Sequence, residues 1–216
     1  MPTLLAAFVT ALLLGMRHAT DPDHVVAVTT IVSRERSVRR ACGIGALWGL
    51  GHTVTILAVG GAIILFRLAL TPRLGLSLEM VVAAMLVVLG AMNLFDVRPR
   101  AAEGSPLGGL RPLVVGVVHG LAGSAGATLL VLPLIEDPRW ALVYLLVFGA
   151  GTVVGMATIT LAVAAPAVLA APRIAGLQRG LRLASGAVSL AFGVWLAHRI
   201  GVTDGLLIGT PRWTPN

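Results

Sequence analysis

The chain has 216 residues, 57% of them hydrophobic and 12% charged, with a mean hydropathy of +0.94; a soluble domain, about a quarter charged, is excluded. Six apolar crossings of about 20 residues would use roughly 120 positions and leave only short loops, so an ATP-driven pump acting alone has no room for its nucleotide domain. The formal charge of +7 comes from 16 basic residues, all of them arginine, and in a chain this apolar they belong at membrane edges and not on nucleic acid.

Long apolar runs separated by charge or proline predict spans near 4–32, 42–66, 78–95, 113–133, 140–165 and 183–199. The N-terminus turns apolar at once without the positive leader of a cleavable signal, and is read as a retained first span. That span carries Arg17, His18, Asp21, Pro22, Asp23 and His24 in its middle, which predicts two helical pieces meeting near Pro22. Arg34, Arg36, Arg39 and Arg40 follow it. Arg98, Arg100 and Arg111 lie after the third span, and Arg173, Arg179 and Arg182 after the fifth. The opposite loops and tail hold only Arg67, Arg73, Arg139, Arg199 and Arg212, so the arginine-rich loops are expected in the cytoplasm and both termini outside. The expected fold is all-α: one polytopic transmembrane domain over 1–216.

The halves, 1–100 and 107–216, resemble each other weakly. Gly15 to His18 can be laid on Gly116 to His119, Trp48 to Gly51 on Phe148 to Gly151, and Leu89-Gly90 on Phe192-Gly193. Either glycine-rich membrane sequences align by composition alone, or the chain is a 3+3 repeat. A three-span unit, being odd, inserts its second copy upside down, and such repeats place a substrate site near the midplane at interrupted helices. The glycines themselves read as packing positions. The densest stretch, His119 to Gly126, is a candidate second interruption.

Chemistry concentrates at the first interruption. Each carboxylate or arginine at membrane depth costs on the order of 2.5–3.5 kcal/mol, so the charges there imply a function. Arg17 and Asp21, four apart, can pair on one helix face, leaving Asp23 as the freer carboxylate. On a regular helix, at about 100° per residue, His18, Asp21 and His24 share a face and Asp23 does not. Pro22 removes the amide that would bond the His18 carbonyl, and local unwinding can turn Asp23 toward both imidazoles. Two imidazoles with one or two carboxylates suit Ni²⁺, Co²⁺, Fe²⁺, Mn²⁺ or Zn²⁺, and the lack of cysteine in the cluster argues against Cu⁺. The alternative is a proton relay or a self-satisfied polar knot holding the helix break. His52 and His119 lie at depths that a shared site would need, and each reads equally as a histidine bonded across a helix interface. His198 reads as interfacial, Glu79 and Asp96 as marking the ends of the third span, and Asn93 and Thr128 as helix-bridging groups.

The run His18-Ala19-Thr20-Asp21-Pro22-Asp23-His24 resembles the His-x4-Asp-His signature of the nickel/cobalt transporter (NiCoT) family, and Leu50-Gly51-His52-Thr53 looks like its second motif. The resemblance implies metal recognition by His18, Asp23 and His24 with His52 as accessory. Typical members have eight spans. This chain looks more like the short, six-span permeases associated with urease maturation. The resemblance covers the first third well; 119–124 and 151–156 contain no counterpart of the family's later carboxylates.

The expected function is a secondary transporter or facilitator of Ni²⁺ or Co²⁺ in the cytoplasmic membrane, not an enzyme. The candidate ligands are His18, Asp21, Asp23, His24, His52 and His119. The metal is cargo and no prosthetic group is expected; the bilayer is the other partner. Efflux with proton exchange would use the same site, but the loops lack a histidine cluster, which favours uptake. A six-span thiol-disulfide carrier would need paired intramembrane cysteines where the chain has Cys42 alone, and an intramembrane metalloprotease would need an H-E-x-x-H that is absent.

Overall fold

A computed structural model describes residues 2–68, 71–97, 106–131, 135 and 137–213, with the backbone alone at 2–4, 106–108 and 122–131. Seven α-helices and no strand are found among them: α1 (Pro2–His18), α2 (Pro22–Val32), α3 (Val38–Phe66), α4 (Pro72–Leu94), α5 (Pro106–Val131), α6 (Pro138–Ala170) and α7 (Leu177–His198), the last running into a single π-helical turn, Arg199–Thr203. Four described segments are long and apolar enough to cross a membrane, Val38–Phe66, Pro72–Leu94, Pro138–Ala170 and Leu177–Thr203; α1, α2 and the described part of α5 are shorter apolar helices. The chain is therefore an all-helical polytopic membrane protein.

Helix starts are written locally. Proline opens α2, α4 and α6, where its missing amide hydrogen costs nothing, and Ser37, Thr71 and Asp137 cap the first turns of α3, α4 and α6 through Arg40, Leu74 and Arg139 amides. These starts lie several residues before the apolar runs, because capped first turns carry polar and basic residues that a hydropathy reading leaves out. The first span is broken at 19–21, as the sequence predicts. The second predicted interruption is absent: α5 continues helically through Gly126 to Val131. No proline stands there to remove an amide, and Gly120 instead allows close approach, since a Cβ on it would meet the Thr55 side chain and the His52 backbone.

Small residues set the packing. α3 lies between α5 and α6, α1 packs on α6, and α4 on α7. A Cβ at Gly15 would collide with the Phe148 carbonyl, one at Gly116 with the Trp48 carbonyl, one at Gly51 with Leu113 and one at Gly151 with Leu12. Gly155 meets Met16 as Gly151 meets Leu12, and Gly120 meets His52 as Gly116 meets Trp48, so α1 runs parallel to α6 and α5 to α3; Gly45 on Met156 with Gly149 on Thr53, and Gly90 on Gly186 with Gly193 on Ala83, set α3 against α6 and α4 against α7. Large apolar side chains such as Leu13, Val54, Val88, Val154 and Val188 point outward. The fully buried set includes Trp48, His24, His52 and His119, so the polar chemistry sits inside and the grease outside. Thr128 lies outside the residues whose side chains are described.

Candidate metal centre

α1 ends at His18, and Asp21, in extended backbone (φ −60°, ψ 144°), precedes α2. The Asp21 carboxylate is not spent on capping α2. It accepts from His18 Nδ1 at 2.7 Å, which fixes the tautomer and leaves Nε2 as a lone-pair donor, the usual outer support of a metal-binding imidazole. His18 Nε2 lies 3.0 Å from His52 Nε2 on α3. Two nitrogens held about 2.0–2.1 Å from one tetrahedral metal would stand roughly 3.3 Å apart, so the pair is already near ligand spacing.

The second half of the cluster forms around Asp23, in the first turn of α2, where the helix dipole favours a carboxylate. Its oxygens lie 3.0 Å from His24 Nδ1 and 3.0 Å from His119 Nε2, and these two nitrogens are 3.3 Å apart. His24 sits between the groups, its ring 4.5 Å from that of His18 and 4.2 Å from that of His119. Within each of two sets, His18 with His24 and His52, and Asp23 with His24 and His119, the donor atoms lie within 4.8 Å of one another. His24 Nε2, His52 Nδ1 and His119 Nδ1 are buried without a partner among the described residues.

The structure thus brings together His18, Asp23, His24, His52 and His119, and places Asp21 one step out, on His18. Two expectations change. The Arg17–Asp21 pair is absent among the described residues: the helix ends at His18, so the four-residue spacing no longer aligns them, and Arg17 is exposed. Asp23 turns toward His24 and His119, not toward His18. His198 is exposed at the end of α7.

Sequence reasoning missed the aromatic walls. Trp48 lies near-parallel to His24 with ring centres 5.9 Å apart and meets His119 edge-on at 5.4 Å, and Phe148 lies 5.7 Å from His18. The Trp48–Gly51 and Phe148–Gly151 likeness was the available signal. Asn93 bridges helices as expected, donating to the Thr30 carbonyl and Ser33 Oγ and accepting from Arg34, which also holds Asp96 at 2.7 Å. Glu79 accepts from the Trp213 indole. A cavity of about 770 Å³ opens at the arginine-rich end, lined among others by Arg34, Ile44, Leu47, Arg111, Pro112 and Val115.

Over 220 residues the chain is 34% identical to the urease accessory protein UreH of Bacillus sp. (strain TB-90), a match that covers 94% of this chain and 95% of that protein. The chain belongs to the UreH family. It is also 30% identical over 180 residues to the chloroplast protein FOR GROWTH AND FERTILITY 1 of Arabidopsis thaliana, with 70% of this chain and 47% of that protein covered. No protein-family model and no solved structure matches it. Kinship along nearly the whole of a UreH protein agrees coarsely with the resemblance to short urease-associated permeases, and it extends well past the first-third motifs.

Proposed function

We propose that this protein carries a divalent transition-metal cation, Ni²⁺ or Co²⁺, across the cytoplasmic membrane into the cell, through six spans and a midplane site of His18, Asp23, His24, His52 and His119. The observation that carries the reading is the clustering of four imidazoles, with His18 and His52 nitrogens 3.0 Å apart and Asp23 3.0 Å from both His24 and His119. Neutral imidazole with a little carboxylate suits Ni²⁺ and Co²⁺, whereas Ca²⁺ and Mg²⁺ take oxygen-rich sites. The resemblance to nickel/cobalt transporters and the urease accessory name of the 34% identical relative point the same way.

Inward movement needs no ATP. A divalent ion falling through about 100 mV gains roughly 4.6 kcal/mol, enough for around a thousandfold accumulation. The arginine bias supports termini on the outer side and the cavity on the cytoplasmic side. Accumulation of nickel, cobalt, zinc and manganese by cells with and without the gene tests the proposal. Gene-dependent accumulation of nickel or cobalt is expected, and equal contents for all four metals would overturn it.

A further inference from the structure

The five donors of the centre do not make one coordination sphere. Imidazole nitrogens bind zinc at about 2.0–2.1 Å, so two ligands of one such ion stand at most roughly 4.2 Å apart even when opposed. The donor atoms here gather within 4.8 Å of one another in two sets and not in one, His18 with His24 and His52, and Asp23 with His24 and His119. The close approaches fall inside the sets. His18 Nε2 is 3.0 Å from His52 Nε2, and the separations within the second set are 3.0, 3.0 and 3.3 Å. Across the sets the His52 and His119 rings stand 6.0 Å apart, against 4.2 Å for His24 and His119.

The sets differ in character. The first is three imidazoles, with His18 backed by Asp21 at 2.7 Å; the second contains the Asp23 carboxylate. Only His24 belongs to both. A neutral imidazole has one ring nitrogen with a free lone pair, so His24 completes one set at a time, and two divalent ions so close would also repel each other.

We propose that the centre holds two overlapping cation positions, one of three imidazoles and one of two imidazoles and a carboxylate, and that a single ion passes between them by exchanging its other donors across His24. The proposal rests on the metal reading above and deepens it. Three protein ligands leave a coordination position open, so either set alone suffices to bind. Passage needs both. Binding and transport therefore come apart when one set is broken, whereas a single five-donor site would lose them together.

The test uses the full chain purified in detergent, with Co²⁺ as the probe because its visible absorption changes with its donors. His52→Ala leaves the carboxylate-containing set whole, His119→Ala leaves the three-imidazole set whole, and His24→Ala breaks both. The wild-type chain is expected to bind a single Co²⁺. His52→Ala and His119→Ala should each still bind one, with absorption spectra that differ from each other, while both lose uptake in cells at normal protein level. His24→Ala should lose binding and uptake alike. Asp23→Asn, which alters the second set alone, should bind Co²⁺ with the spectrum of His119→Ala. His52→Gln and His119→Gln, which keep a polar side chain in the buried site, repeat the comparison for any alanine variant that is not monodisperse. Loss of binding in step with uptake in the His52 and His119 variants, or one spectrum common to both, would overturn the proposal, as would two Co²⁺ bound per wild-type chain. A wild-type chain that binds neither Co²⁺ nor Ni²⁺ would instead remove the metal reading itself, and the two positions with it.

Discussion

At the scale of single residues the centre separates donors from their supports. Asp23→Asn keeps the shape and removes the charge that holds His24 and His119, and His24→Ala deletes the imidazole common to both donor sets. Each should abolish uptake while folded protein stays in the membrane; His198→Ala, exposed at a helix end, should leave uptake per unit protein unchanged. Asp21→Asn acts through His18, and outer-shell carboxylates of this kind typically contribute about 10–100-fold in metal affinity. A loss of that size at normal abundance is expected in equilibrium binding, where an Arg17–Asp21 pair would have cost abundance instead. Protons should compete with the metal, because imidazole binds only when neutral, so affinity should fall on acidification as the site's imidazoles take up protons. A flat profile would remove the case for imidazole ligation. The first-span donors were legible because they sit within seven residues of one another. His119 is not assignable from sequence because its partners come from α2, far away in the chain, and the Arg17–Asp21 pairing fails because its four-residue spacing crosses a helix end.

At the scale of elements, packing depends on missing side chains. A Cβ at Gly15 or Gly116 meets a backbone carbonyl on the neighbouring helix, which cannot swing aside, whereas one at Gly43 meets nothing within 4 Å. Gly15→Val and Gly116→Val should therefore sharply reduce folded protein, by detergent-resistant monodispersity, and Gly43→Ala should not; overpacking costs on the order of 1–3 kcal/mol or more. The broken first span was readable because proline acts on its own backbone, whereas a glycine run can serve either a break or a close approach. Only the neighbouring helix decides between them, and α3 against α5 decides for approach.

At the scale of the whole molecule, the arginine asymmetry makes a prediction that depends on no side-chain geometry. Reporter fusions at the C-terminus and after Gly104 should give external and cytoplasmic signals respectively; a cytoplasmic C-terminus would reverse the assigned sides. The bundle also sorts its four tryptophans. Trp140 lies by Phe8, Trp195 by Phe192 and Arg199, and Trp213 on Glu79, while Trp48 is fully buried beside His24 and His119. Paramagnetic Ni²⁺ and Co²⁺ quench nearby indole emission, and diamagnetic Zn²⁺ does so far less. A variant with Phe at 140, 195 and 213 would then carry its own optical gauge, dimming as the centre fills and giving occupancy in real time without any attached dye.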